Sequence, residues 1–276
     1  MPVIKLYQHG VTGGIQGGNK GLHGTRGQVQ GWTTQSTRRN IQFLRSVTIN
    51  KLWGNGFAVT LTLKNCPPTH EDWKKLRDIF FKRMARLGMI RAHWVTEWQR
   101  RGVPHLHAII YFDSSEEDNP AIPFKITKSW IQIAGEYGTT FQAQHVMPIR
   151  NTLGWIQYLA KHSSRGANHY QRSPENVPEG WKTTGKIWGK YGDWSTKEPT
   201  SAELTRAQWW KFRRLVRSWR IADARNSGNE KRIYFAKKML KKNNRTLSEV
   251  TGVSEWVTEA TSMAFLHHLE QTSNPD

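Results

Sequence analysis

His105 and His107 flank a single leucine, and Glu97 precedes them by eight and ten positions across the segment Gln99-Arg100-Arg101-Gly102-Val103-Pro104. Side chains alternate faces along a β-strand, so the two histidines share one face while Leu106 turns to the other. A hairpin centred on Gly102 would pair residues whose numbers sum to about 204, which sets Glu97 opposite His107 and Gln99 opposite His105. Two imidazoles and a carboxylate on one sheet face make a divalent-metal site with positions left for water or a phosphate. A His-x-His pair alone is more often a surface pair or a hydrogen-bonded one; the carboxylate in register is what lifts the metal reading above that. Further along, Tyr158 and Lys161 stand three apart and so share one helix face. A phenol is a poor nucleophile at its usual pKa of about 10. A nearby metal and a lysine can stabilise both the phenolate and the charge on an attacked phosphate.

The elements that would position these residues are readable around them. Phe57–Leu63 alternates, with β-branched residues, as a half-buried strand does. Thr69, with Asp72 three residues later, opens a helix over 70–87 that Gly88 stops. Met89–Gln99 and His105–Phe112 read as strands on either side of the turn. A helix around Thr127–Tyr137, a strand around Thr140–Met147 and a short helix over Asn151–His162 follow. The order β-α-β-β-α-β-α favours an α+β fold with a ferredoxin-like, RRM-like antiparallel sheet and helices on one face.

With those elements in place, three motifs stand in order: the strand FAVTLTL, His105-Leu106-His107 within GVPHLHAIIYF, and Tyr158-x-x-Lys161. They resemble, in order and approximate spacing, the motifs of HUH endonucleases. Over roughly residues 57–195 the chain is similar to the rolling-circle replication initiators (Rep) of filamentous phages and small plasmids. The resemblance implies a single catalytic tyrosine, Tyr158, attacking a scissile DNA phosphate held by Mg²⁺ or Mn²⁺. It implies a 5′-phosphotyrosine link and a 3′-OH that primes synthesis. It also implies His105 and His107 as metal ligands, Glu97 as the third, and Lys161 assisting at the phosphate. Two-tyrosine members carry a second tyrosine one turn away, whereas positions 154 and 162 here are Gly and His, the single-tyrosine pattern. The stretch Gly185–Gly192 resembles the Gly/Trp segment that follows the tyrosine motif in such initiators, and is expected to pack near the site.

The 276 residues carry 41 Lys+Arg against 21 Asp+Glu, a formal net charge of +20, which points to a polyanionic partner. The excess is unevenly placed. Residues 1–56 hold seven basic and no acidic residues, and nine glycines fall in the first 31 positions. Residues 1–50 are therefore expected to be a flexible Gly-rich basic arm. Residues 51–200 would be the HUH domain, and 201–276 a helical extension, basic and then acidic. Within the extension Phe212, Leu215, Val216 and Trp219 form an apolar stripe. Arg213, Arg217 and Arg220 would face phosphates, as would Arg100 and Arg101 in the hairpin turn. Among the 14 tryptophans, Trp73 reads as core, while others, Trp98 or Trp155 beside the motifs, could stack on unpaired bases; the sequence does not sort the two kinds.

Gly180–Lys186 nearly spells a phosphate-binding loop, but Ile187 stands where Ser or Thr must reach Mg²⁺. No ATPase is read here, so strand opening would fall to a host helicase and extension to a host polymerase. The partner DNA would be a single-stranded or hairpin origin. One cysteine, Cys66, and the lack of an apolar run of membrane-spanning length suggest a protein of the host cytoplasm. The competing readings are an HUH relaxase or transposase, and a non-catalytic nucleic-acid-binding module on an RRM-like sheet.

Overall fold

The computed structural model describes residues 1–15, 30–113, 121–149, 158, 169–238 and 252–271. In chain order its elements are β1 (Pro2–Tyr7), β2 (Gly10–Ile15), α1 (Thr34–Ser46), β3 (Asn55–Thr62), α2 (His70–Arg86), β4 (Met89–Trp98) and β5 (Pro104–Phe112). Then come α3 (Ala121–Ala134), β6 (His145–Ile149), β7 (Trp188–Gly192), β8 (Thr200–Glu203), α4 (Arg206–Asn226), α5 (Glu230–Lys238), β9 (Val253–Glu255) and α6 (Glu259–Gln271). The chain divides into two compact units, one of Gly24–Leu44 with Thr48–Ser195, the other of Met1–His23, Arg45–Val47 and Thr196–Asp276.

The first unit is an antiparallel five-stranded sheet in the order β6-β3-β5-β4-β7. The strands β6-β3-β5-β4 are the ferredoxin-like arrangement expected from the β-α-β-β-α-β pattern, with β7 added beside β4. Capping starts α2 as its sequence requires: Thr69 Oγ1 accepts the Asp72 N–H at 3.2 Å, and Asp72 Oδ2 accepts the Thr69 N–H at 3.2 Å. Leu106, Ala108, Ile110 and Phe112 of β5 join Trp73, Phe80 and Trp130 from α2 and α3 in one buried cluster. Trp73 and Trp130 meet edge to face with centroids 5.9 Å apart. This packing occupies one sheet face and leaves the odd-numbered residues of β5, and those of β4 from Arg91 to Glu97, on the other.

Two boundaries moved. The third helix begins six residues earlier than expected, since Pro123 is tolerated in a first turn. Strand β6 begins only at His145, because the Gln144 side chain takes the preceding ladder place: its Oε1 accepts the Thr62 N–H at 2.7 Å and its Nε2 donates to the Thr62 carbonyl at 3.2 Å. The helix expected over 151–162 lies outside the described residues apart from Tyr158.

The second unit places α4 and α6 with a four-stranded sheet in the order β8-β1-β2-β9. The apolar stripe of α4 becomes its core: Phe212 and Val216 bury beside Ile4, Leu6 and Val11, and the Phe212 and Phe265 rings meet at 6.3 Å. The described parts of residues 1–50, namely 1–15 and 30–50, therefore differ from the expected arm. They supply β1 and β2 to this sheet and α1 to the other unit. Glycines that look like arm composition have local work: a Cβ on Gly13 would stand 2.7 Å from Trp209. No described helix is long and apolar enough to cross a membrane.

Candidate active site

Glu97 and His105 are direct cross-strand partners on β4 and β5, and Val95 lies opposite His107. The expected register was therefore two residues off. The turn closes more tightly, with Gln99 N donating to the Val103 carbonyl at 2.9 Å and Gly102 N to the Gln99 carbonyl at 3.0 Å. Gly102 takes φ +70°, the left-handed position such a three-residue loop requires. Gln99 thus sits at the mouth of the turn against Val103 and not opposite His105. A slip of two preserves the strand alternation, so Glu97, His105 and His107 still share a face.

All three side chains are buried, and one potential ligand atom from each falls within 4.8 Å of the others. Among the described residues no other trio of His, Cys, Asp or Glu does this. The neighbours orient each donor. Thr60, opposite His107 on β3, brings its hydroxyl to His107 Nδ1 at 2.9 Å. When that hydroxyl accepts Nδ1–H, the Nε2 lone pair is turned toward Glu97 Oε2, 3.4 Å away. Two lone pairs facing at that distance need a positive charge between them, a proton or a metal ion. Arg172 holds the other carboxylate oxygen: its Nε and Nη2 both lie 2.9 Å from Glu97 Oε1. Its guanidinium in turn lies 4.1 Å over the Trp32 ring. Gln171 Nε2 stands 3.5 Å from His105 Nε2. A carboxylate and two imidazoles, each held from behind, are a donor set that suits a divalent cation.

Tyr158 is buried beside the same face of β4. Its hydroxyl lies 2.9 Å from His93 Nδ1, and His93 Nε2 lies 2.7 Å from Asn40 Oδ1 of α1. His93 stands two residues before Val95, about 6.6 Å along the strand from the level of His107. Burial above all, then the negative charge of Glu97 and the presence of Tyr111, pushes the Tyr158 phenol well above its ordinary pKa, and Arg172 acts against this.

The family described as replication-associated protein ORF2/G2P has a sequence profile that matches residues 44–166. The replication-associated protein G2P of Pseudomonas phage Pf3 is 46% identical over 275 residues, 98% of each chain. A protein of Xylella fastidiosa strain 9a5c, provisionally named a replication protein, is 43% identical over 277 residues, 98% of this chain and 96% of that one. The chain belongs to the ORF2/G2P family. No solved structure is a significant match.

This G2P-family chain places the remaining expected residues unevenly. Lys161 and Trp155 lie outside the described residues. Trp98 is fully buried with its ring 5.9 Å from that of Trp181, so it is core and not a surface for bases. Trp188 of the Gly/Trp segment packs by the site, 6.1 Å from His93. Arg100 sits 5.2 Å over the Tyr170 ring, and Arg101 donates to the carbonyls of Leu63 and Lys64. In the other unit Arg213 corrects the expectation of a phosphate-facing side chain: it is 4% exposed, 5.0 Å over the Trp210 ring. Arg217 donates to the Lys237 carbonyl at 3.1 Å, and Arg220 pairs with Glu255 at 2.7 Å. A helical wheel puts Arg213 beside the apolar stripe, and its hydrocarbon stem follows that stripe inward.

Four residues that frame the site carried no readable signal in the sequence: Arg172, Trp32, Asn40 and His93. Each reaches the sheet from a distant part of the chain or sits in an ordinary strand pattern. Only the odd numbering shared by His93, Val95 and Glu97 would have placed His93 on the site face.

Proposed function

We propose that the chain starts rolling-circle replication by nicking one strand of its origin DNA and later rejoining it, with Tyr158 as the nucleophile. The observation that carries this is the single sheet face on which Glu97, His105 and His107 converge within 4.8 Å while the Tyr158 hydroxyl is held on the neighbouring His93. Membership of a replication-associated family agrees with it.

In this reading Glu97 Oε2 and the imidazoles of His105 and His107 hold a divalent cation of the Mg²⁺ or Mn²⁺ kind. Such a cation would neutralise charge building on the scissile phosphate and orient it for attack. Arg172 keeps the Glu97 carboxylate in place, and Thr60 keeps His107 in the tautomer that donates through Nε2. The Tyr158 oxygen attacks the phosphorus, a 5′-phosphotyrosine forms, and the 3′-OH primes synthesis. Lys161, three residues on, assists at the phosphate.

The substrate is single-stranded or hairpin origin DNA, with a host helicase opening the duplex and a host polymerase extending the primer in the host cytoplasm. The other unit supplies a basic surface for the strand. On α5, Tyr234 and Phe235 are exposed among Lys231, Lys237 and Lys238, a combination that stacks bases and neutralises phosphates.

The test is a denaturing gel after incubating the full chain with single-stranded origin DNA and Mn²⁺. The expected result is a covalent protein–DNA adduct that disappears in Tyr158→Phe. No adduct from wild type across a set of origin hairpins, or an adduct that survives Tyr158→Phe, overturns the proposal.

A further inference from the structure

Asn40, His93 and Tyr158 form a buried chain of three polar side chains drawn from α1, β4 and the segment beyond β6. Its direction can be read from the donors available. An amide oxygen only accepts, so the 2.7 Å contact between Asn40 Oδ1 and His93 Nε2 requires the proton to be on Nε2. A neutral imidazole protonated there presents a lone pair at Nδ1, and the Tyr158 hydroxyl 2.9 Å away must donate into it. The ring is held in that plane by Phe43, stacked at 5.6 Å, and by Trp188 at 6.1 Å. Among the described residues Asn40 Nδ2 meets no hydrogen-bond partner, and the side-chain bond that this fully buried amide makes there is the one to His93.

We propose that His93 is the proton acceptor for Tyr158 in strand cleavage and its donor in rejoining, with Asn40 as the positioning residue that sets the His93 tautomer. The inference rests on the tyrosine-nucleophile reading above and adds to it a base and the residue that orients it. A nucleophile, a base within hydrogen-bond reach and a third group behind the base is an arrangement that activates weak nucleophiles generally. The need for it is marked here, because the buried phenol holds its proton more tightly than an exposed one. In the forward step the Tyr158 proton passes to His93 Nδ1 as the phenolic oxygen forms its bond to phosphorus. The bond from phosphorus to the 3′ oxygen breaks, and that oxygen takes a proton from water. The imidazolium is stabilised by Nε2–H donating to Asn40. In the reverse step the 3′-OH attacks the phosphotyrosine and loses its proton to water. His93 then returns its proton to the departing Tyr158 oxygen.

The experiment measures single-turnover adduct formation on single-stranded origin DNA with Mn²⁺, alongside oligonucleotide affinity by fluorescence anisotropy. His93→Gln keeps a side chain of similar reach that cannot carry the proton, and should slow adduct formation by about 100-fold or more with affinity changed less than about threefold. His93→Ala should be similarly slow and partly restored by added imidazole. Asn40→Ala should slow the reaction, and Asn40→Asp, which keeps the acceptor, should recover much of that loss. Nitrogen-15 NMR of the metal-free wild type should show His93 protonated at Nε2 and not at Nδ1. That readout needs no variant to fold. The opposite tautomer, or a His93→Gln rate within about threefold of wild type, overturns the proposal. A wild type that forms no adduct, or forms one without Tyr158, instead sinks the nuclease reading itself.

Discussion

Arg172 directs two guanidinium nitrogens at one oxygen of Glu97, 2.9 Å each, so the other oxygen faces His107. Both side chains are fully buried. Breaking such a pair leaves a charge with neither solvent nor partner, which costs about 3–5 kcal/mol. Arg172→Met should lose that much in urea unfolding, and adding Glu97→Gln to it should recover a large part. A single-variant loss below about 1 kcal/mol would show that the carboxylate does not depend on Arg172.

The trio on the sheet face predicts a metal response separable from DNA binding. Mn²⁺ at about 100 times its Kd should stabilise wild type by about 2.7 kcal/mol in thermal unfolding. His107→Ala should abolish that shift and the cleavage while leaving oligonucleotide affinity nearly intact. Equal loss of affinity and cleavage would mean that His107 acts in folding and not in the metal site.

Alkaline stability should report the buried phenols. Burial raises the folded-state pKa of Tyr158 and of Tyr111 above the unfolded value of about 10. A group with a raised folded pKa contributes stability that is fully present below the unfolded value and lost as pH rises above it. Circular dichroism and phenolate absorbance should therefore change together above about pH 10. Tyr158→Phe should move the midpoint upward. Phenolate absorbance from Tyr158 appearing while the fold persists would contradict the burial.

Arg213 should behave as a packing residue. Arg213→Ala removes a guanidinium from the Trp209 and Trp210 rings and should cost about 1–2 kcal/mol of stability. Its DNA affinity and salt dependence should stay close to those of wild type. Tyr234→Ala, on the exposed face of α5, should do the reverse, weakening single-strand binding with little change in stability. Anisotropy titrations at two salt concentrations, paired with urea unfolding, separate the two outcomes.

Periodicity and capping are local properties, and they make the unit that carries the candidate site legible in the sequence. The alternation of Phe57–Leu63 and His105–Phe112, the Thr69–Asp72 cap and the order of elements led to the antiparallel sheet. The period of two was enough to bring Glu97, His105 and His107 to one face even with the register misjudged, because the error was an even number of residues. What local patterns do not carry is the closure of long loops. Asn40, Arg172 and Trp32 meet the site from far along the chain, and no period in the sequence ties them to it. The same reason applies at the N-terminus. Glycine content and unbroken positive charge describe residues 1–50 as an arm, yet Ile4, Leu6 and Val11 are buried in one cluster with Phe212, Val216 and Leu269, more than 190 residues away in sequence. The residue types and spacings determined which chemistry the chain can attempt. Tertiary packing decided which arginines face inward, what holds the glutamate, and which histidine meets the tyrosine. Those choices depend on apolar surface that each unit buries between segments far apart in sequence.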